Sequence, residues 1–210
     1  MTTVALFGAT GKTGRRVLTR LLDAGHAVRA LVRDPARLDH PHPQLTVITG
    51  DVLDPAAVSA TVAGSAAVIS VFGHVAGSTA TVQTDGTANI VAAMREHGVD
   101  RVVSLSGGGL ADPADQPKAA DHVIRFLLRR LQGDVLADAE QHLAVLRDSG
   151  TRWTVVRGPR LTEKPGLGRY RVGWVGVNAS TAISRDDLAD FIVTQLDDEQ
   201  FVGRMPFVSA

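Results

Sequence analysis

Apolar runs of strand length alternate with helix-patterned segments along most of the chain. The runs predicted to be strands lie at residues 4–8, 26–32, 45–49, 66–72, 101–105, 152–157, 169–177 and 205–208. Helical periodicity occupies residues 15–24, 54–63, 79–97 and 184–196, and a longer helical region, interrupted near Gln132, ends at Gly150. Such alternation predicts an α/β fold with a doubly wound parallel sheet between two helical layers. No stretch resembles a linker, so we expect residues 1–210 to form one domain with a short C-terminal part that lines a substrate pocket.

The first strand leads into three glycines that are spaced three residues apart. Gly8 allows a tight turn out of the strand, Gly11 allows a phosphate to approach the backbone, and Gly14 allows the next helix to pack on the strand. Free N–H groups at the start of that helix favour an anion. The context predicts a Rossmann-type fold and a site for a dinucleotide pyrophosphate, with a merely tight turn as the alternative. The predicted pyrophosphate site comprises Gly8, Ala9, Thr10, Gly11, Lys12, Thr13 and Gly14.

The second predicted strand ends at a cation, which bears on the choice of cofactor. An NAD site usually places a carboxylate there to hold the ribose 2′-hydroxyl, whereas Arg33 and Arg37 suit a 2′-phosphate. We therefore predict NADP(H) rather than NAD(H). Solvated arginines are the alternative, and Asp34, one residue further on, keeps NAD(H) open.

Further cofactor contacts are expected at the ends of the third and fourth strands, because open α/β sheets bind ligands at the carboxyl ends of their strands. Asp51 and Val52 follow the third strand, where an adenosine would rest. The segment after the fourth strand would line the middle of the cofactor, and it consists of Val71, Phe72 and Gly73.

Composition removes several classes of function. Twenty-two basic and 22 acidic residues give a formal net charge of zero, so nothing favours nucleic acid or an anionic membrane. The chain has no cysteine, and His40 and His42 lie among prolines without a third ligand, so we expect a solvated loop there and no metal site. The first apolar run is too short to span a bilayer and no basic segment precedes it, so we expect a cytoplasmic protein, either monomer or homodimer.

The sequence resembles the atypical short-chain dehydrogenase/reductase group that binds NAD(P)H. It is especially similar to the biliverdin reductase B and flavin reductase type, and more loosely to NmrA-like proteins. The resemblance rests on residues 6–14, 32–34, 50–53, 89–100, 146–150 and 183–188. It implies a Rossmann-type fold and a nicotinamide cofactor, while members of the group use different electron acceptors or none.

One catalytic motif of ketone-reducing members is missing. They commonly use a Tyr-x-x-x-Lys pair, but the only tyrosine of this chain, Tyr170, has Trp174 four residues later. A reduced ketone would be left as an alkoxide without a placed acid, whereas a flavin, quinone or linear tetrapyrrole spreads the added charge and takes its proton from water. The missing pair therefore favours a conjugated acceptor.

Two loops depart from the pattern of the biliverdin reductase B type. The fifth strand is followed by Ser106 and Gly107 rather than by two hydroxyl residues, and the later loop reads Gly158, Pro159, Arg160 rather than Pro-Pro-His. Ser106 is the candidate for positioning the nicotinamide and the substrate, and a serine that only bonds the backbone at a strand end is the alternative. Pro159 and Arg160 are expected to line the substrate pocket, where Arg160 could donate to an anionic acceptor.

Asp138 and His142 are spaced four residues apart on a predicted helix and therefore share one face. A general acid/base pair and a surface ion pair are both compatible with this spacing, and we favour the surface ion pair. Trp153 continues an apolar strand and is expected in the core.

Together these features predict an NADPH-dependent oxidoreductase that reduces a flavin, quinone or similar conjugated small molecule by hydride transfer. The altered residues Ser106, Gly107 and Arg160 leave two alternatives. One is a non-catalytic NADP-sensing regulator of the NmrA kind, and the other is a pathway-specific reductase of an aromatic or polyketide-like substrate.

Overall fold

The computed structural model describes residues 2–38, 41–119, 121–123, 126, 130 and 132–210. The strands are β1 (Thr3–Phe7), β2 (Ala27–Val32), β3 (Leu45–Thr49), β4 (Ala67–Ser70), β5 (Arg101–Gly107), β6 (Arg152–Gly158), β7 (Arg160–Thr162), β8 (Arg171–Gly173), β9 (Ala182–Ser184) and β10 (Phe207–Ser209). The α-helices are α1 (Lys12–Asp23), α2 (Pro55–Val62), α3 (Val82–His97), α4 (Gly133–Arg147) and α5 (Arg185–Thr194). His40 and part of the helical region predicted before Gln132 lie outside the described residues.

Eight strands form one sheet in the order β3-β2-β1-β4-β5-β6-β10-β8. Every neighbouring pair is parallel except β8 and β10, which are antiparallel. The strand order reverses between β1 and β4, and such a switch point is where open α/β sheets bind ligands. The predicted doubly wound parallel sheet is confirmed. Across the described residues, no helix has both the length and the apolar composition needed to cross a membrane.

Successive side chains of β1 enter two separate apolar layers. Val4 and Leu6 pack in the layer that includes residues of α1 and α5, whereas Ala5 and Phe7 pack in the layer that includes residues of α2, α3 and α4. Because adjacent side chains of a strand point to opposite faces, a strand covered on both faces has an unbroken apolar sequence. The apolar run that predicted β1 is unbroken because β1 is covered on both faces. The predicted arrangement of three layers is confirmed. Trp153, 9% exposed, lies in the second layer as expected.

Two helix starts follow from the chemistry of their caps. The carboxylate of Asp54 accepts a hydrogen bond from Ala56 N at 3.0 Å, with Pro55 at the first helical position of α2. The hydroxyl of Ser184 accepts from Asp187 N at 2.9 Å at the start of α5. Both caps satisfy backbone donors that have no partner inside the helix.

The C-terminal third differs from the sequence prediction in its short strands. The strand predicted at 169–177 is reduced to β8, and Trp174 and Val177 close a turn behind it. Residues 158–168, predicted as irregular, contain β7, which pairs in parallel with β9 in a separate two-stranded sheet. Strands of three residues are too short to show a two-residue periodicity, so the sequence pattern could not reveal them.

We predict that Gly14→Ala destabilises the fold, whereas Gly133→Ala does not. A Cβ on Gly14 would clash with the carbonyl oxygen of Gly8, whereas a Cβ on Gly133 would meet no atom within 4 Å. Over-packing costs about 1–3 kcal/mol, while alanine in place of a helical glycine has a neutral or slightly favourable effect. Urea unfolding of both variants measures the difference, and equal stability of the two would contradict the close contact.

Candidate functional site

A cavity of about 690 Å³ lies at the carboxyl ends of β1, β2, β3, β4 and β5. It collects most of the residues that the sequence predicted for the cofactor, although they are widely separated along the chain. The predicted residues in its wall are Gly8, Thr10, Gly11, Lys12, Thr13, Arg33, Arg37, Asp51, Val52, Val71, Phe72, Gly73, Ser106 and Pro159. Ala9 and Gly14 are buried and lie outside this wall, so they contribute to the conformation of the loop without facing the cavity.

The glycine loop is held in a tight turn against the segment after β4. Gly8 has a φ of +92°, and a Cβ there would lie 2.7 Å from Phe72 N. Gly11 N donates to Gly8 O at 3.0 Å, which closes the turn just before α1. Any side chain at Gly8 would be both strained and obstructed. The loop therefore brings the start of α1 to the cavity, where its N–H groups can bind a phosphate.

Arg185, the first residue of α5, is a cation of this site that the sequence analysis missed. Its Nη1 donates to Thr13 Oγ1 at 2.8 Å, and its Nε donates to Glu163 Oε1 at 2.9 Å. Lys12 Nζ lies 3.4 Å from the same carboxylate oxygen. Arg185 follows the glycine loop by more than 170 residues, so sequence spacing could not predict that the two come together. The Ser184 cap, which fixes the start of α5, is the feature that positions it.

The end of β2 presents cations rather than a carboxylate to the cavity. Arg33 and Arg37 are exposed and line the wall, and Arg33 Nε lies 3.9 Å from Asp51 Oδ2. Asp34, the residue that kept NAD(H) open, is not part of the wall. Its carboxylate accepts from Ala36 N at 3.1 Å and caps the single 3₁₀ turn Pro35–Arg37. Local turn formation thus directs Asp34 to the backbone.

Ser106 places a buried hydroxyl in the cavity wall. The side chain is 6% exposed, and its Oγ has no hydrogen-bond partner in the described part of the chain. The alternative role, a bond to the backbone at the strand end, is therefore not seen. An unpaired buried hydroxyl costs about 1–3 kcal/mol, which a polar ligand group can recover. This orphaned hydroxyl and the glycine cradle both fit a nicotinamide dinucleotide.

A second cavity, of about 720 Å³, adjoins the first beyond Ser106. The two share Gln83, Gly107, Gln132, Val135, Gly158 and Pro159 in their walls. Most of the second wall is apolar, with Leu110, Leu136 and Phe207 among its residues. Pro159 and the exposed Arg160 line it, so both predicted substrate-lining residues border this space.

A buried ion pair holds the loops around the second cavity. Arg157 is fully buried, and its two terminal nitrogens donate to the two oxygens of Asp115 at 2.8 and 2.9 Å. Asp115 also accepts from Val175 N, which ties together two loops of the wall. Burial alone would raise the pKa of Asp115, but the hydrogen bonds from Arg157 and from the backbone of Asp112 and Val175, together with the charge of Arg157, hold the pKa below its ordinary value of 3.8. This pair could not be predicted from spacing, since Arg157 lies in the apolar strand β6 and Asp115 lies in a loop more than 40 residues earlier.

The prediction that Asp138 and His142 form a surface ion pair is wrong. Both residues are buried, at 2% and 1% exposure, because α4 packs this face against α3. Asp138 accepts from His74 Nε2 at 2.8 Å, while the ring of His142 bonds to the hydroxyls of Thr87 and Ser104 at 2.7 and 3.1 Å. Burial lowers the pKa of His142 to about 4, so this ring is neutral at physiological pH.

The one tyrosine takes no part in either cavity. Tyr170 donates its hydroxyl to Asp190 Oδ2 at 2.9 Å, and its ring packs edge-on against Phe191. Burial and then the hydrogen bond to Asp190 raise the pKa of Tyr170 to about 12. Neither Tyr170 nor Trp174 lines a cavity wall, so the tyrosine chemistry of ketone reductases has no counterpart there.

Comparison with known sequences gives the family. The sequence model for NAD(P)H-binding proteins matches residues 8–199. The chain belongs to the NAD(P)H-binding family. It is 30% identical to an uncharacterised chloroplastic protein of Arabidopsis thaliana, over 94% of this chain and 72% of that protein. It is 36% identical to a 3-beta-hydroxysteroid dehydrogenase of Mycolicibacterium neoaurum, over 60% of this chain and only 37% of the dehydrogenase. The predicted family and its nicotinamide cofactor are confirmed.

Solved structures with the same fold cover almost all of the chain. A short-chain dehydrogenase/reductase of Veillonella parvula in complex with NADP superposes with a TM-score of 0.80 at 21% identity, over 100% of this chain and 94% of that one. An anaerobillin reductase of Escherichia coli O157:H7 also gives a TM-score of 0.80, at 18% identity, over 99% and 97% of the two chains. These likenesses show that the fold is the one found in short-chain reductases.

We predict that Asp115→Ala strongly destabilises the chain at neutral pH. Removing one partner of a buried pair leaves Arg157 uncompensated, which costs about 3–5 kcal/mol. Since the pKa of Asp115 is lowered in the fold, its contribution is present above the ordinary value of 3.8 and is lost as the pH falls below it. The stability gap between wild type and variant, measured by urea unfolding, should therefore narrow in acid.

Glu199→Ala is the matched control, because this carboxylate pairs with Arg152 at the surface and is 78% exposed. Exposed pairs contribute little to stability. A loss for Asp115→Ala no larger than that for Glu199→Ala would contradict the role of the buried pair.

Proposed function

We propose that the chain is an NADPH-dependent oxidoreductase that transfers hydride to a flavin, quinone or similar conjugated acceptor. The observation that carries the proposal is the pair of adjoining cavities. One is built around the glycine loop, and the other is largely apolar and meets it beside the unpartnered hydroxyl of Ser106. Apolar cavities with few polar groups are typical of sites for planar organic ligands.

Each part of the cofactor has a group of residues suited to it. The glycine loop with Lys12, Thr13 and Arg185 suits the pyrophosphate, and the start of α1 adds its backbone donors. Asp51 and Val52 line the cavity and would border the adenosine. Ser106 would hold the nicotinamide end near the second cavity. When bound, the reduced cofactor supplies the hydride, and the protein contributes orientation and exclusion of water.

NADPH is proposed over NADH because of the charges at the end of β2. Arg33 and Arg37 border the cavity, while the carboxylate of Asp34 is engaged by the backbone of the next turn. Guanidinium groups bind phosphate through charge-assisted hydrogen bonds. The NADP complex of the Veillonella protein, which shares the fold, is in keeping with this choice.

A conjugated acceptor is proposed because neither cavity wall contains the tyrosine that ketone-reducing members use and because the second cavity is largely apolar. Arg160 at the rim offers a cation to an acceptor that carries an anionic group. The anaerobillin reductase with the same fold is named for a reductase activity, which is consistent with this class of reaction. A non-catalytic NADP-sensing regulator is the rival, and it would bind cofactor without oxidising it.

We predict that the protein oxidises NADPH with FMN, FAD or a simple quinone, and NADH less efficiently. The measurement is the decrease of nicotinamide absorbance with each acceptor, alongside calorimetry of cofactor binding. Tight NADPH binding without oxidation by any acceptor would contradict the reductase and support the regulator. Turnover of a quinone without turnover of either flavin would instead indicate a pathway-specific reductase.

We predict that Arg33→Ala raises the KM for NADPH about tenfold or more and leaves the KM for NADH almost unchanged. The loss of a charge-assisted hydrogen bond costs about 1.5–3 kcal/mol. NADPH would lose such a bond between its 2′-phosphate and Arg33, whereas NADH has no 2′-phosphate. Arg171→Ala is the control, because Arg171 is exposed on the edge strand β8 and lines neither cavity. Equal effects of Arg33→Ala on both cofactors would remove this role.

A further inference from the structure

His74 connects the cofactor cavity to a buried carboxylate. It follows β4 by four residues and lines the cavity wall. Its Nε2 lies 2.8 Å from Asp138 Oδ2, and the two side chains are 19% and 1% exposed. His74 belongs to no motif of the sequence, although it directly follows the segment predicted to border the cofactor.

Asp138 is held as a charged group by several donors. Its Oδ2 accepts from Gln83 N at 2.8 Å as well as from His74, and its Oδ1 accepts from Thr84 N at 2.9 Å and from the Thr84 hydroxyl. Burial alone would raise the pKa of Asp138, but the hydrogen bonds from Thr84, Gln83 and His74 together lower it. A carboxylate fixed by these donors holds the His74 ring, its hydrogen-bond partner, in one orientation.

The contact fixes which ring nitrogen is available for proton transfer. A carboxylate only accepts, so the neutral ring of His74 carries its proton on Nε2, towards Asp138. Nδ1 then gains and loses the second proton. Nδ1 has no hydrogen-bond partner among the described residues. This orientation, with one nitrogen anchored and the other free, is the arrangement that general acid catalysis requires.

His74 lines the first cavity, and its partner Asp138 is bonded to a residue that lines both cavities. Gln83, whose N–H donates to the same carboxylate oxygen as His74, lines both cavities. Ser106 lines the first cavity near the end of β5, the strand next to β4, and the following residue, Gly107, lines both cavities. A proton donor at this junction is close to the region where an acceptor would meet the nicotinamide.

We propose that His74 is the proton donor to the acceptor and that Asp138 is its positioning residue. The inference rests on the proposed reductase function. The acceptor takes a hydride, which is one proton with two electrons, from the reduced cofactor, and the cofactor leaves in its oxidised form. An oxygen or nitrogen of the acceptor takes a second proton from Nδ1 of His74, and the neutral ring then regains a proton from water.

The other titratable groups on α3 and α4 leave this assignment intact. Asp138 is the one in contact with His74, and His142 lies one turn further along α4 and is neutral. Asp85 and Asp134 occupy the first turns of the two helices and are exposed. A loss of proton transfer on replacing His74 can therefore be assigned to its ring.

The test compares His74→Gln with His97→Gln, using quinones whose reduced forms differ in basicity. His97 is at the opposite end of α3 from the cavities and serves as the matched control. We expect His74→Gln to lower kcat about a hundredfold for the quinone with the most basic reduced form, and less for the others, because general acid catalysis contributes most where the product anion is most basic. We also expect calorimetry to show unchanged NADPH binding.

Two further measurements separate proton transfer from a structural role. In the cofactor-free protein, nitrogen-15 NMR should show the neutral ring of His74 with its proton on Nε2. His74→Ala, a second variant, should regain activity when free imidazole is added, because the small molecule can occupy the vacated space and donate a proton. Rescue would not follow if His74 only supported the loop.

If the wild type is active and His74→Gln leaves kcat unchanged, or lowers it equally for all quinones, the donor role is overturned. The proposed reductase function would still stand. A neutral ring with its proton on Nδ1 would also overturn it. A wild type that binds NADPH but oxidises it with no acceptor would overturn the proposed function and, with it, the role of His74.

Discussion

The close contact between the start of α1 and the end of β1 is the constraint on which the site depends. Gly14 lies against the carbonyl of Gly8, and Gly8 lies against the backbone of Phe72, at distances that leave no room for a side chain. Three segments thereby meet at one edge of the sheet. The free N–H groups of α1 face the cavity because of this packing, and the adjoining residues of β2 and β3 complete its wall.

Hydrogen bonds between polar side chains, as well as apolar packing, hold the helices, strands and loops around the second cavity in place. Asp138 and His142 join α4 to α3 and β5, while the pair of Asp115 and Arg157 joins the loop beyond β5 to β6. Buried polar groups are costly unless each one is bonded, so such networks permit few alternative arrangements. In this chain they surround the apolar cavity and orient the residues at its junction with the cofactor cavity.

The fold and the cofactor half of the site could be predicted from sequence because they depend on local features. The apolar run of β1, the glycine spacing and the helical periodicity over residues 54–63 act over short stretches, and each is found where it was expected. Arg185 and His74 could not be predicted, since their positions depend on contacts between distant segments. The burial of Asp138 and His142 was missed for the same reason. This face of α4 carries polar side chains in the sequence, and only its packing against α3 buries them.

Single-turnover oxidation of bound NADPH is the most direct test of the reductase. The protein is loaded with NADPH, or with NADPH deuterated at the transferred position, and mixed rapidly with a flavin or quinone while nicotinamide absorbance is followed. Hydride transfer in this site predicts rapid oxidation of the bound cofactor that is slower for the deuterated form. Cofactor that stays bound and reduced with every acceptor would contradict the proposed function and favour a sensor of NADPH.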